Sequence, residues 1–232
     1  MAKKKSTWLS PKKQAELDLK NKKARQKKII LIVFLSVLAT LLIGGLVAMI
    51  VILTQPLDPY YAYIEIEDYG TIVVELDPNE APETVENFVK LANEGFYDGL
   101  TFHRIIEGFM MQGGCPNGDG TGDSDETVVG EFSANGYDNN ISHSRGVISM
   151  ARSGSETDDY KYYDTASCQF FIVHKDSTHL DGKYAGFGYV LSGMEIVDAI
   201  CESAKPINDN GKIQKDQQPV IKTITISRSY LE

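Results

Sequence analysis

The sequence predicts a mainly β fold, a closed antiparallel barrel covered by two α-helices and preceded by one transmembrane helix. Short segments that alternate apolar and polar residues dominate the chain after residue 60, and turns rich in Gly, Asp and Asn separate them. Only two segments of that region change to a helical period. An uncharged apolar run before them is long enough to span a membrane. Because strands far outnumber helices, a closed barrel fits the pattern.

Charge divides the chain into a basic beginning and an acidic remainder. The 232 residues are 42% hydrophobic and 24% charged, which is typical of one globular domain with an appendage. Residues 1–28 contain eleven Lys or Arg and two acids, whereas residues 55–232 carry a formal net charge of −18. We therefore expect no nucleic acid as a partner of the folded domain.

Residues 29–54 predict a transmembrane helix. Nothing in the run of 25 residues at 29–53 is more polar than Ser36 and Thr40, and at about 1.5 Å per residue it exceeds a hydrocarbon core of about 30 Å. A cleaved signal peptide is the alternative, but its apolar region is usually only about 7 to 15 residues long. The Lys and Arg residues that precede the run predict a cytoplasmic N-terminus.

These features predict four segments. They are a basic cytoplasmic tail at 1–28, a transmembrane anchor helix at 29–54, a linker at 55–60 and a folded domain at 61–232. The chain would then cross the cell membrane once, contact lipid through residues 29–54 and hold its domain outside the cytoplasm.

The domain begins with a predicted hairpin and a helix. Residues 61–67 and 71–77 alternate around the turn at 68–70, as the strands of a hairpin do. Residues 81–93 change to a helical period, with a proline in the first turn and a glycine after the end. Later segments predict strands at 147–151, 169–173 and 220–226, and a second amphipathic helix at 194–201.

A second hairpin, at residues 102–114, has an unusual mixture of side chains. Glycines mark turns on both sides of 109–112, so two short strands are joined tightly. Arg104 lies among apolar residues, and a charge there must face water, an acid or a ligand. The pattern predicts that Arg104 and Gln112 face each other across the pair. From the pattern alone, a hairpin whose Arg merely extends to solvent stays an open alternative.

The segment at 102–114, FHRIIEGFMMQGG, resembles the signature of the cyclophilin family of peptidyl-prolyl cis-trans isomerases. Four more segments follow in the family's order and near its spacing: GVISMA at 146–151, QFFI at 169–172, LDGK at 180–183 and FGYV at 187–190. The resemblance covers about residues 61–230. It implies an eight-stranded cyclophilin-like β-barrel and a monomeric isomerase without cofactor or metal. With the predicted topology, its partners would be proline-containing peptide segments of exported proteins.

The resemblance also implies roles for particular residues. The catalytic positions correspond to Arg104, Gln112 and Phe109. The substrate-binding positions correspond to Met110, Ala151, Phe171, Leu180, His179, Gln169, His103 and Tyr184, with His103 and Gln169 also expected to support Arg104. His179 replaces a Trp of the best-known members and Tyr184 replaces a His. Because the indole donor is missing, we do not expect tight binding of cyclosporin.

An arginine suits the implied reaction. Rotation about an X-Pro bond crosses a barrier of about 20 kcal/mol because amide resonance is lost in the twisted state. A donor aimed at the prolyl nitrogen binds more strongly in that state than in the planar one, as catalysis requires. The guanidinium of Arg104 stays charged and offers a fixed fork of donors. A membrane-tethered peptide-binding chaperone, or holdase, with little turnover is the alternative from another functional class.

Other chemistries are poorly supported by the sequence. The acidic loop at 115–126 opens like a calcium loop, but Val128 stands where the bidentate Glu is required. The four histidines lack the spacing of metal ligands, and neither a phosphate-binding loop nor a Gly-x-Ser-x-Gly motif is present.

The segment at 152–168 is about eight residues longer than the family usually has. Its acidic and aromatic stretch at 158–163 either lengthens the substrate contact surface or forms a tolerated surface loop, and both interpretations stay open.

Cys115 and Cys168 are a candidate disulfide pair, and two unrelated loop thiols are the alternative that stays open. Cys115 directly follows one strand of the implied fold and Cys168 directly precedes another. If these strands are antiparallel neighbours, as the family fold implies, the two Cα atoms come within the roughly 4.4–6.8 Å that a bridge requires. An exported domain would meet the oxidising conditions in which such a bond persists.

Overall fold

The computed structural model describes residues 10–53, 55–154 and 160–231. The first nine residues of the predicted tail, residue 54 of the predicted anchor and residues 155–159 of the long insertion lie outside this part. The chain divides into two compact units, Met1–Pro56 and Leu57–Glu232.

In the first unit the described residues form essentially one helix, α1 (Pro11–Leu53), of 43 residues. The predicted tail and anchor are continuous, because the helix begins within the basic stretch and runs without a break through the apolar run. It is long and apolar enough to cross a membrane. The hydroxyls of Ser36 and Thr40 donate to carbonyls one turn earlier, at 2.8 and 2.9 Å. Neither polar group is therefore left unpaired in the apolar run.

The second unit is built on eight antiparallel strands. They are β1 (Tyr60–Ile66), β2 (Gly70–Leu76), β3 (Thr101–Ile106), β4 (Met110–Cys115), β5 (Val147–Met150), β6 (Phe170–Val173), β7 (Gly186–Ser192) and β8 (Ile221–Ser227). They form one curled sheet in the order β3-β4-β6-β5-β7-β2-β1-β8. The prediction of a mainly β fold with eight antiparallel strands is confirmed.

Among the residues that the structure describes, the two edge strands, β3 and β8, meet only at one end. Thr101 and Val220 form a single antiparallel bridge there. Next to it, the N–H of Phe102 donates to the carbonyl of Pro219 at 2.9 Å. No continuous ladder joins the two edges within the described residues. The architecture is therefore a curled sheet, and complete closure of the barrel stays a prediction.

The two predicted covering helices are present as α2 (Pro82–Asn93) and α3 (Met194–Ser203). Phe88 of α2 packs its ring against Phe170 of β6 at 5.4 Å and against Phe187 of β7 at 5.3 Å between centroids. All three side chains are fully buried. The apolar stripe that predicted α2 is thus the surface that seals one side of the sheet.

The N-terminus of α2 is capped from a distant part of the chain. Its own N-cap residue, Ala81, has no side-chain acceptor. The buried carboxylate of Glu131 instead accepts the N–H groups of Glu83 at 3.0 Å and Thr84 at 2.8 Å. It satisfies two donors that have no partner within the helix and places a negative charge at the positive end of the helix dipole.

The predicted disulfide is absent from the structure. All three cysteines are free, buried thiols. Strands β4 and β6 are antiparallel neighbours as expected, and their register continues toward Cys115 and Cys168. The sulfur of Cys115, however, faces the following turn, where it accepts hydrogen bonds from the N–H groups of Gly120 and Gly122, each at 3.3 Å. The prediction placed the strand ends correctly but not the direction of the thiol.

Candidate active site

One cavity of about 240 Å³ brings together eight of the eleven residues that the sequence singled out. Its lining consists of Arg104, Phe109, Met110, Gln112, Ala151, Arg152, Gly154, Phe171, Leu180 and Tyr184. Arg152 and Gly154 were not predicted as site residues, although both belong to the insertion at 152–168.

A bulge in β3 directs Arg104 into this cavity. The register shifts between Phe102 and Arg104, which leaves His103 without a partner on β4. Strict alternation would have turned Phe102 and Arg104 to the same face. With the extra residue, Phe102 is fully buried in the main core whereas Arg104 faces the cavity. Bulges commonly redirect side chains in this way beside active sites.

Arg104 is held from two sides. Its Nε donates to the carbonyl oxygen of Asn210 at 2.8 Å, and its Nη1 donates to Oε1 of Gln112 at 3.3 Å. Arg104 and Gln112 are also register partners, as predicted. The guanidinium carbon lies 5.9 Å from the ring centroid of Phe109. The cation therefore has a defined position at the rim of the cavity.

The contact with Asn210 was not predicted. This residue lies in an Asn-Asp-Asn-Gly turn at 208–211, which sequence reasoning would treat only as a loop. The turn crosses the outer edge of β3, where the carbonyl of Gly211 accepts the N–H of Ile105 at 2.8 Å. Gly211 has φ of +81°, and a side chain there would meet the carbonyl of Ile105 at 2.7 Å. A glycine is required for this approach.

The electrostatics of Arg104 leave its charge available to a ligand. Its hydrogen bonds within the described part of the chain all go to neutral acceptors. Burial lowers the pKa of Arg104 from its usual value. An arginine nevertheless stays protonated in proteins. The site thus holds a permanent cation beside an apolar surface.

Gln112 links Arg104 to the neighbouring strand. Its Nε2 donates to Oε1 of Gln169 at 3.0 Å. Gln169 in turn donates to the carbonyl oxygens of Gly122 at 2.9 Å and Gly120 at 3.2 Å. This series of hydrogen bonds fixes the orientation of both side-chain amides, Gln112 and Gln169. Gln169 therefore supports Arg104 indirectly, through Gln112.

The rest of the cavity is an apolar slot. Met110, Phe171 and Leu180 are buried and belong to one small core cluster, with Phe109 and Tyr184 packed against it. The ring of Tyr184 meets that of Phe171 edge-on at 5.9 Å. A slot of this shape and polarity suits a compact apolar ring.

Polar groups support the base of the slot from behind. The ring of His143 stacks on Phe171 with centroids 6.1 Å apart. Its Nδ1 lies 2.9 Å from Oδ1 of Asp181 and its Nε2 lies 3.0 Å from Oγ of Ser149. Burial lowers the pKa of His143, although Asp181 acts in the opposite direction. The trio was not predicted, because its members are unremarkable in sequence.

Three of the predicted substrate contacts do not line this cavity, and one of them, Gln169, lines the polar cavity described below. His179 is exposed, with its ring 5.6 Å from that of Phe109. His103 is only 3% exposed and lies beneath the loop at Gly120. Its expected contact with substrate needs correction, because the bulge turns this side chain inward. Burial, together with the charge of Arg104, lowers the pKa of His103 to about 4.

A second, polar cavity of about 190 Å³ adjoins the slot. Its lining consists of Gln112, Gly120, Thr121, Asp123, Ala151, Arg152, Ser153, Thr165, Ser167 and Gln169. Gln112, Ala151 and Arg152 line both cavities. Both ends of the insertion at 152–168 contribute to the wall, so the insertion borders the site.

Known proteins are similar in sequence to most of the second unit. The family model "Cyclophilin type peptidyl-prolyl cis-trans isomerase/CLD" matches residues 61–229. Peptidyl-prolyl cis-trans isomerase B of Bacillus subtilis is 50% identical over 133 residues, which cover 57% of this chain and 85% of that protein. A peptidyl-prolyl cis-trans isomerase of Synechococcus elongatus is 47% identical over 119 residues, 51% of this chain and 72% of that protein.

A solved structure has the same fold. The crystal structure of a cyclophilin type peptidyl-prolyl cis-trans isomerase of Cryptosporidium parvum superimposes with a TM-score of 0.62 at 28% identity. The match covers 73% of this chain and 98% of that one. The same protein in the presence of the dipeptide Ala-Pro superimposes with a TM-score of 0.61.

Proposed function

The chain belongs to the cyclophilin-type family of peptidyl-prolyl cis-trans isomerases, and from this premise we propose that it acts at the outer face of a membrane on proline-containing segments of exported proteins. It is an isomerase by family and by its named relatives. Its anchoring, its orientation and its substrates form the proposal, together with the roles of individual residues. One chain lines the whole groove, so the proposed activity does not require a second copy.

Arg104 supplies the catalytic donor. As the X-Pro bond twists, conjugation is lost and the lone pair of the prolyl nitrogen becomes a hydrogen-bond acceptor. A guanidinium N–H aimed at that nitrogen stabilises the twisted state more than the planar one. The carbonyl of Asn210 and the amide of Gln112 already orient the guanidinium. Little reorganisation is needed when the acceptor appears.

The slot and the neighbouring backbone hold the substrate. The proline ring enters between Phe109, Met110 and Phe171, where its apolar surface is removed from water. Gln112 and Ala151, which line both cavities, hold the flanking peptide. With both sides held, the X-Pro peptide bond is the bond of the substrate that can rotate. No covalent intermediate is involved.

One observation carries the proposed mechanism. Arg104 is a half-buried cation whose hydrogen bonds go to neutral acceptors within the described residues, directly beside an apolar slot. A structural arginine in such a place would normally pair with a carboxylate. The Arg104 guanidinium is therefore placed to donate a hydrogen bond to a ligand in the slot.

The proposed topology rests on α1. Its apolar part is long enough to span a bilayer, and the residues before it are strongly basic. Basic residues of this kind are retained on the cytoplasmic side. The acidic domain that follows is then delivered to the other side, where unfolded exported chains present X-Pro bonds.

Protease accessibility tests the topology. With one epitope tag before Met1 and another after Glu232, protease added to intact, wall-free cells should remove the second tag and spare the first. Detergent should expose both and so serves as the control. Protection of the C-terminal tag would overturn the orientation. A soluble product that lacks residues 1–53 would show that the apolar helix is a cleaved signal sequence.

The holdase alternative is not favoured, because the curated relatives are named as isomerases. An NMR measurement distinguishes the isomerase from the holdase. It gives the rate of cis-trans exchange of an Ala-Pro peptide with catalytic amounts of the full chain in detergent micelles. Binding without acceleration of exchange would favour the holdase.

A further inference from the structure

Three aromatic rings surround the guanidinium of Arg152. Its central carbon lies 4.8 Å from the ring centroid of Tyr184, 5.2 Å from that of Tyr163 and 5.4 Å from that of Phe132. All three distances fall within the roughly 6 Å range of cation–π contacts. Phe132 and Tyr163 also meet edge-on at 5.1 Å. One cation thus joins three segments that are far apart in sequence.

Hydrogen bonds fix the plane of this guanidinium. Its Nε donates to the carbonyl of Lys183 at 2.9 Å, and its Nη1 donates to the carbonyl of Ser153 at 3.1 Å. The first acceptor directly precedes Tyr184, and the second lies at the start of the insertion. A planar fork can donate in its plane and stack on rings above and below it at the same time, which a lysine ammonium cannot do.

The other side of the insertion is anchored independently. Oδ1 of Asp164 accepts the N–H of Gly130 at 2.9 Å and the side-chain amide of Asn135 at 2.8 Å. The N–H of Ser153 donates to Oγ1 of Thr165 at 3.0 Å, which joins the two ends of the insertion. Residues 160–165 of the insertion are therefore held by two sets of contacts. Asp164 binds the segment at 130–135, and Arg152, which lines the groove, contacts Tyr163.

We propose that Arg152 is a positioning residue that sets how the isomerase grips peptide on either side of the proline. Its guanidinium contacts both Tyr163 of the insertion and Tyr184 of the slot, and Arg152 itself lines both the apolar slot and the polar cavity. The described residues around Arg152 and Tyr163 then act as a fixed wall for the residues that flank the proline. This inference rests on the groove assigned under the proposed function, and extends it to a role for the insertion.

The dependence of KM on peptide length tests this role. With the full chain in detergent micelles, Arg152→Ala should raise KM about five-fold or more for a peptide that extends three residues on each side of Ala-Pro, because the residues that flank the proline lose a preorganised wall. KM for a peptide with one residue on each side should change less than about two-fold, because it does not reach the wall. Arg152→Lys should behave like Arg152→Ala, because a lysine keeps the positive charge but lacks the planar guanidinium that stacks on the three rings.

A matched control lies on the same insertion. Lys161 is exposed and makes a cation–π contact with Tyr162 at 4.8 Å, and neither residue lines the two cavities. Lys161→Ala should leave KM for both peptides unchanged. Tyr163→Ala should reproduce the length-dependent effect, and the double variant with Arg152→Ala should be no worse than either single variant, since the two residues act as one unit.

The outcomes separate this inference from the proposed function. Equal loss on short and long peptides, or full rescue by Arg152→Lys, would overturn the positioning role while the enzyme remains an isomerase. A wild-type chain that accelerates neither peptide would instead remove the groove on which the inference rests. Retention of the thermal midpoint in Arg152→Ala, measured by near-UV circular dichroism, would show that the KM effect is local.

Discussion

Arg104 and Gln112 lie opposite each other on β3 and β4, and Nη1 of the arginine donates to Oε1 of the glutamine at 3.3 Å. The other end of the Gln112 amide donates to Gln169, so the glutamine cannot rotate away without losing both bonds. The carbonyl of Asn210 holds the guanidinium from the other side. The guanidinium is therefore already oriented without a ligand, as its proposed role as the transition-state donor requires.

Removal of the Arg104 side chain should reduce catalysis severely. We expect Arg104→Ala to lower kcat/KM by about 10²-fold or more, equivalent to about 3 kcal/mol for loss of one transition-state donor. Arg104→Lys should recover only part of the activity, because it lacks the fork that contacts Asn210 and Gln112 together. Peptide exchange measured by NMR gives the rates, and near-UV circular dichroism checks the fold. A folded Arg104→Ala protein with wild-type activity would exclude Arg104 from the mechanism.

His179 should set the sensitivity to cyclosporin. Its ring lies beside Phe109 at 5.6 Å, at the edge of the slot, where the best-known family members carry a Trp. We expect weak inhibition of the natural chain and at least about ten-fold tighter inhibition of His179→Trp, because the indole adds apolar area and an N–H donor. Inhibition titrations measure the change, with His179→Phe as the control that adds an apolar ring without the donor. Tight inhibition of the natural chain would contradict the prediction.

The Glu131 carboxylate should stabilise the whole domain through α2. Glu131→Ala leaves the N–H groups of Glu83 and Thr84 without their acceptor. We expect a loss of about 2 kcal/mol in the free energy of unfolding, as for removal of a helix cap. Urea denaturation followed by near-UV circular dichroism measures it. Glu86→Ala, an exposed position on the same helix, should have little effect, and equal loss in both variants would refute the capping role.

His103 should make stability depend on pH in the mildly acidic range. Burial and the neighbouring Arg104 lower its pKa from 6.5 to about 4, so between these values the unfolded chain binds a proton that the folded chain does not. The free energy of unfolding therefore falls as the pH falls from 6.5 toward 4. The full contribution is about 3 kcal/mol.

Substitution isolates this contribution. His103→Asn removes the titrating group. The difference in thermal midpoint between about pH 7.5, above the transition, and about pH 4.5, near its lower end, should therefore shrink. His179→Asn, which alters an exposed ring, should keep the wild-type pH dependence. An unchanged pH dependence in His103→Asn would assign the effect to other groups.

Short-range patterns were sufficient for several parts of the site. The glycine turn at 108 sets the register of the β3–β4 hairpin, and from that register the pairing of Arg104 with Gln112 follows. The helical stripe of α2 and the apolar run of α1 follow in the same way from periodicity and length. These predictions succeeded because the residues involved are close neighbours along the chain.

Other features depend on contacts across the fold. The carbonyl of Asn210 reaches Arg104 across 106 positions of sequence, and the carboxylate of Glu131 reaches α2 across 47 and 48 positions. No local spacing encodes such contacts, because they arise only when the strand order brings distant segments together. The bulge at His103 belongs to the same group, since the edge-strand environment of β3 decides where the extra residue goes.

The sequence by itself thus determined most of the secondary structure, the apolar N-terminal helix, the family and the identity of most residues around the slot. Each of these depends on composition, periodicity or ordered motifs. The tertiary structure alone decided the direction of the Cys115 thiol, the inward position of His103 and the cluster of rings around Arg152. The physical reason is that a side chain's direction depends on packing between segments that are distant in sequence, and such packing is settled only when the sheet has formed.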